Sequence, residues 1–268
     1  MSSNENSRQS QLEPEHVPLY SIPMVKSARR AYLTELSIGP RELDSDTSHY
    51  LHSVLRLRDG EEIEFFDGRG GVARALIQTA SKRSVKVEFL SLHSVDAHLP
   101  PIHLYCALPK GDRSEWLIEK CSELGATSLN WVIYDRSQDH KRDHSKRFER
   151  WHKIACEAAR QSYNAWVTKL EPPKKFQEVI KQNLSGTIVV LDTTDATRPF
   201  ATLPLNLQEP ILLFIGPEGG FSPDERKEFS RQDWLTTTLG PTVLRIETAA
   251  ISGISAIRNH ASLCKITS

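Results

Sequence analysis

Polar and apolar positions along the chain change rhythm once, at Leu99-Pro100-Pro101. Before that step the apolar runs are short and separated by turn residues. Ala31–Leu36 precedes Gly39-Pro40, and Glu62–Phe66 runs into Asp67-Gly68-Arg69-Gly70-Gly71. Val72–Ile77 and Val85–Leu90 flank the polar Ser81–Ser84. Runs of this length, bounded by Gly, Pro and Asp, predict strands and turns. His49–Leu57, with Tyr50, Leu51, Val54, Leu55 and Leu57, has the spacing of a helical face. Residues 27–99 therefore read as a small β-rich barrel, closed off by a stiff proline linker.

After the prolines, apolar runs alternate with helical stripes. Ile102–Leu108, Leu129–Tyr134, Thr187–Leu191, Ile211–Ile215 and Leu235–Leu239 predict strands. Between them a helix is predicted from Asp112, with a capping box to Glu115, to a stop at Gly125. Lys146–Gln161 carries Phe148, Trp151, Ile154, Ala155 and Ala158 on one stripe. Ser222-Pro223-Asp224-Glu225 combines an N-cap Ser, Pro at the first helical position and Glu at the third, so a helix starts there. Glu247–Ala261 predicts the last helix. Such alternation predicts an α/β domain over 100–268 with a mainly parallel sheet.

Composition narrows the function classes. The chain has 268 residues, with 34 Lys+Arg and 34 Asp+Glu, so its formal net charge is zero. A protein that coats nucleic acid through bulk charge is excluded, while a local basic patch is not. Cys106, Cys121, Cys156 and Cys264 lie far apart without ligand spacing, which predicts reduced thiols rather than a disulfide scaffold or zinc site. Residues 1–26 are polar, lack the apolar stretch of a secretory signal, and are expected to be a disordered tail.

Four features could carry chemistry. Ile215-Gly216-Pro217-Glu218-Gly219-Gly220-Phe221 joins a strand to a capped helix, where glycines let backbone approach a ligand closely. It is neither a phosphate loop nor a dinucleotide fingerprint, and a plain tight turn would read the same way. Leu239-Gly240-Pro241-Thr242-Val243-Leu244-Arg245-Ile246-Glu247 places a charged pair ahead of a helix rich in Ala, Gly and Ser. That helix could thread under a loop, pack on a second subunit, or simply fill a tight core. Lys110 and Arg113 stand before the helix at Asp112 and could be solvated charges. Between Arg136 and Lys175 there are 11 Lys/Arg against 5 Asp/Glu, interleaved with Phe148, Trp151, Tyr163 and Trp166. Basic groups beside stackable rings suit RNA, as they suit a solvated helix. His140 and His144 have i,i+4 spacing but sit in a polar stretch that predicts no metal.

In combination, ALPKGDRSEWLIEKCSELGA, RWHKIACEAARQS, LLFIGPEGGFSPDE and LGPTVLRIETAAISGISAI resemble, in order, the RsmE family of 16S ribosomal RNA (uracil-N3) methyltransferases of the SPOUT class. SARRAYL and HYLHSVLRLRDGEEIEFFDGRGG resemble its PUA-like RNA-binding barrel. The likeness spans about residues 27–262. It implies a C-terminal trefoil-knot domain, a homodimer and S-adenosylmethionine-dependent methylation of a uridine in the small ribosomal subunit; the cytoplasmic location is what the reduced thiols predict. Carried over residue by residue, it implies a cofactor cradle of Leu191, Ile215, Gly216, Glu218, Gly219, Gly220, Leu239, Gly240, Val243 and Leu244. It also implies catalytic roles for Arg245, Glu218 and Glu247, and RNA contacts from Arg29, Arg30, Lys110, Arg113 and Arg160. Two stretches depart from the pattern. Thr242 and Ile246 stand where the family usually has Arg and Thr, and Tyr163–Thr168 replaces a loop rich in Gly and Arg. The departures leave two other readings open: methylation of a different RNA nucleotide, or a non-catalytic RNA-binding assembly factor.

Overall fold

The computed structural model describes residues 15–17, 29–137, 145–194 and 198–266. The chain divides into two compact units between Asp96 and Ala97. In the first, β1 (Glu15–Val17), β2 (Arg30–Tyr32), β3 (Gly39–Glu42), β4 (Glu62–Phe66), β5 (Gly71–Ala80) and β6 (Val85–Val95) form one sheet. Its order is β1-β6-β5-β4-β2, with β3 also paired to β6. Alternation places Ile63, Phe65, Ile77, Val85, Val87 and Phe89 in a common core. The segment expected to be helical is α1 (Ser45–His49) followed by a π-helical turn over Tyr50–Val54. Asp44 caps α1 by accepting from the amides of Asp46 and Thr47 at 3.0 and 2.9 Å. One piece of the supposedly disordered tail departs from expectation: Glu15–Val17 pairs in parallel with His93–Val95. A sheet edge offers free N–H and C=O groups to any extended segment near it.

The second unit holds β7 (Ile102–Cys106), β8 (Ser128–Ile133), β9 (Lys169–Lys175), β10 (Thr187–Leu191), β11 (Arg198–Pro199), β12 (Ile211–Ile215) and β13 (Leu235–Thr238). They form a seven-stranded sheet in the order β11-β13-β10-β12-β7-β8-β9, and every pairing is parallel. β12 is buried along its whole length, as its unbroken Ile-Leu-Leu-Phe-Ile run requires of a strand covered on both faces. The helices are α2 (Arg113–Glu123), α3 (Ser145–Gln161), α4 (Phe176–Val179), α5 (Pro223–Arg231) and α6 (Ile246–Ile266). Among the described residues no helix is long and apolar enough to cross a membrane.

One expectation changes here. The capping box predicted at Asp112 does not form. Asp112 is already helical, with φ −76° and ψ −7°, and its side chain caps nothing, because Gly111 at φ +64° turns the chain one residue earlier. At α5 the box forms as predicted: the Ser222 hydroxyl accepts from the Glu225 amide at 3.3 Å, and the Ser222 amide donates to Glu225 at 2.7 Å. Half of the small-residue stripe of α6 is core packing: Ala249, Ala250 and Gly253 are buried, while Ser252, Ser255 and Ala256 are half-buried. A Cβ on Gly253 would stand 2.6 Å from Leu213 of β12, so only glycine lets this helix lie so close to the sheet.

Candidate active site

Parallel α/β sheets bind ligands beyond the carboxyl ends of their strands. Here the ends of β10, β12 and β13 open into a cleft of about 280 Å³. Eight of the ten residues expected to cradle a cofactor line it: Leu191, Ile215, Gly216, Glu218, Gly220, Leu239, Val243 and Leu244. Gly219 and Gly240 do not. A Cβ on Gly219 would meet the Arg136 side chain at 3.3 Å, and a Cβ on Gly240 would project into open space. Gly216 lies under the cleft with the Phe221 ring 3.1 Å from where its Cβ would be.

The glycine-rich loop is clasped from outside by the segment after β8. Arg136 donates to the Gly219 carbonyl at 3.0 Å, and the Ser222 hydroxyl donates to Asp135 at 2.7 Å. The buried Glu225 carboxylate completes the clasp by accepting the Asp135 amide at 2.9 Å. Burial raises the Glu225 carboxyl above its ordinary value, against the lowering effect of the Ser222 and Asp135 amides.

Charge is sparse in the cleft. Asp192, Glu218 and Arg245 are its charged lining residues, and Arg245 is exposed. Asp192 was not among the residues singled out from the sequence. It follows β10 directly, and Arg226 of α5 holds it through Nε–Oδ2 at 2.6 Å and Nη2–Oδ1 at 3.3 Å. Burial would raise its carboxyl; the Arg226 hydrogen bonds and the Thr194 amide outweigh that and leave it below the ordinary carboxylate value. A polar residue closing the apolar run Ile188–Leu191 was the available signal, but its partner 34 positions away follows no spacing rule. Glu247 is not in the cleft lining. It is buried at the start of α6, with Oε2 lacking a hydrogen-bond partner, and Oε1 lies 3.6 Å from Arg113.

The residues expected to touch RNA are placed differently from one another. Lys110 is exposed. Arg29 is exposed too, but donates to Glu61 at 2.9 Å. Arg30 is only 3% exposed; it pairs with Glu64 at 2.8 Å and stacks over Phe66 at 4.3 Å, so burial takes it away from any backbone phosphate. Arg160 is held by Glu157 at 2.8 Å, and Arg113 turns inward toward Glu218 and Glu247. In the basic segment, Trp151 is core, while Arg147, Arg150 and Lys153 are exposed on α3. His140 and His144 lie outside the described residues. Tyr163 adopts φ +57°, a conformation that glycine takes without strain.

The family described as RNA methyltransferase domain matches residues 97–258, and that described as RNA methyltransferase PUA domain matches residues 43–90. The chain is 32% identical to the ribosomal RNA small subunit methyltransferase E of Bacillus subtilis over 228 residues, covering 81% of this chain and 89% of that protein. It is 33% identical to the protein of the same name from Synechocystis over 254 residues, covering 89% and 82%. Among solved structures, the ribosomal RNA small subunit methyltransferase E of Neisseria gonorrhoeae, bound to S-adenosyl methionine, matches with a TM-score of 0.79 and 29% identity, covering 87% of this chain and 98% of that one. A putative methyltransferase from Legionella pneumophila, in complex with the cofactor SAM, matches with the same TM-score, 30% identity and the same coverage.

Proposed function

Since the chain belongs to the ribosomal RNA small subunit methyltransferase E family, we propose that it transfers a methyl group from S-adenosylmethionine to N3 of a uridine in small-subunit ribosomal RNA. The observation that carries this reading is the cleft where β10, β12 and β13 end. Its apolar walls, Leu191, Ile215, Leu239 and Leu244, suit an adenine ring, and the bare backbone of Gly216 and Gly220 allows close approach. Lysine is missing from its described lining and Arg245 is its one arginine, which fits a cofactor that carries a sulfonium and no phosphate.

The donor supplies an electrophilic methyl group; the chain's own residues supply position and charge. N3 of uracil bears a proton and is a poor nucleophile until that proton leaves. Arg245, exposed at the rim, is suited to bind a uracil oxygen and to favour the anionic ring as the proton departs. Glu218, on the same rim, is the carboxylate best placed to accept that proton or to orient Arg245. The loops would hold the ring in line with the methyl group, and such positioning supplies a large share of the acceleration in this class of transfer. Lys110, Arg29 and the exposed cations of α3 are the groups left free or half-free to meet backbone phosphates, while Arg30 is not.

The same reading makes the protein a cytoplasmic homodimer with a trefoil knot in its second unit and an RNA-binding barrel in its first. The exposed Val243, with 84% of its surface open, supports a further surface covering the cleft mouth. Incubation of the full chain with labelled S-adenosylmethionine and 30S subunits, followed by mass analysis of the nucleosides, tests the reading. N3-methyluridine is expected, and Arg245→Ala should abolish it while leaving cofactor affinity within a few-fold. Methylation of another nucleotide would redirect the substrate assignment, and cofactor binding without transfer would favour an assembly factor.

A further inference from the structure

We propose that Arg113 is a positioning residue of this reaction and not a ligand of the RNA backbone: from the first turn of α2 it holds the Glu218 carboxylate at the cleft mouth, with Glu247 as its buried anchor. The proposal rests on the methyltransferase reading and deepens it. All three guanidinium nitrogens face oxygens of the chain. Nε donates to the Lys110 carbonyl at 3.3 Å, Nη2 lies 3.4 Å from Glu218 and Nη1 lies 3.6 Å from Glu247. These contacts turn the guanidinium toward the chain's own oxygens.

The burial of Glu247 gives the arrangement its reason. Its side chain is 6% exposed, and among the described residues Arg113 is the cation within ion-pair distance. An ionised carboxylate out of water needs a nearby positive charge. The planar fork of arginine presents a separate nitrogen to each of the two carboxylates in a fixed geometry, which the single flexible ammonium of lysine does not. α2 is a firm base for this bridge. Leu117, Ile118 and Cys121 are fully buried, and the Ser114 hydroxyl ties the helix start to the Gly111 carbonyl at 3.1 Å. Three segments remote in sequence, Lys110–Glu115, the loop at Glu218 and the start of α6, thereby meet at one side chain. Glu218 lies in an exposed turn, so without this tether its carboxylate would swing away from the reacting ring.

Arg113→Gln and Arg113→Lys, with Glu218→Gln and the Arg113→Gln/Glu218→Gln double variant, test this in the full chain against 30S subunits. For Arg113→Gln we expect kcat to fall roughly tenfold to a hundredfold, the range that misplaced reacting groups cost, with KM and cofactor affinity within about twofold. The double variant should be no slower than the slower single one. Arg113→Lys, which keeps the charge beside Glu247, guards against simple unfolding and should keep wild-type thermal stability and cofactor affinity without recovering full kcat. RNA affinity measured against salt should keep its slope in every Arg113 variant. A slope reduced by about 0.7–0.9, the signature of one lost phosphate contact, or a raised KM with unchanged kcat, would overturn the proposal. A wild type that binds RNA yet transfers no methyl group would sink the methyltransferase reading instead, and the salt slope would still decide where Arg113 acts.

Discussion

Replacing Arg226 by alanine removes the partner of a carboxylate that is 5% exposed and lines the cleft. Breaking a buried ion pair from one side costs about 3–5 kcal/mol, because the remaining charge keeps its desolvation penalty. Arg226 itself is 19% exposed, so water would reach part of the gap, and about 2–3 kcal/mol is the appropriate range. At about 2–4 °C per kcal/mol for a unit of this size, the thermal midpoint of the second unit should fall by roughly 5–10 °C at neutral pH. Differential scanning calorimetry reads this directly. The pH dependence gives a second check. The folded Asp192 carboxyl is held below its unfolded value of about 3.9, so the pair stabilises the fold above that pH and loses its contribution as pH falls through the folded value. The gap between wild type and Arg226→Ala should therefore be full near pH 7 and narrow below about pH 4. A midpoint unchanged within a degree at pH 7, or a gap that persists undiminished in acid, would refute the view that Arg226 compensates a buried charge.

Two further substitutions probe the loop. Gly216→Ala places a Cβ 3.1 Å from the Phe221 ring, which is wedged between Tyr134 and Phe229 at centroid distances of 5.2 and 4.8 Å. Either the ring moves toward the cleft it lines or the loop shifts, and titration calorimetry should show cofactor affinity about tenfold weaker, in line with overpacking costs of about 1–3 kcal/mol. Glu225→Gln turns one of two acceptor oxygens into a donor facing an amide N–H. It should lower stability by about 1–2 kcal/mol in denaturant titration and weaken cofactor binding with it; an unchanged midpoint would show that the clasp is dispensable.

Much of this architecture was legible because local signals and burial agree. The Ser222-Pro223 helix start, the apolar β12 and the two Gly-Pro loops each follow from side-chain chemistry over a few residues. What escaped the sequence depends on partners distant along the chain. β9 was missed because Lys-Leu-Glu-Pro-Pro-Lys-Lys is polar and proline-bearing; it survives at the sheet edge, where a missing N–H costs little. The Asp192–Arg226 pair, the Glu225 clasp and the inward turn of Arg113 join residues far apart, and no spacing announces them. Arg30 and Arg113 illustrate the cost of reading cations one at a time. Both looked available for RNA until a carboxylate across the fold took them up. Gly219 shows the same for glycines: a Cβ there would meet Arg136, one loop away.

The most direct test is a crystal structure of the full chain grown with S-adenosylmethionine. The account predicts the cofactor between the loops that follow β10, β12 and β13, in contact with Leu191, Gly216 and Leu244, with its methyl group open toward Arg245. Cofactor density away from that cleft, or a methyl group turned from Arg245, would contradict it.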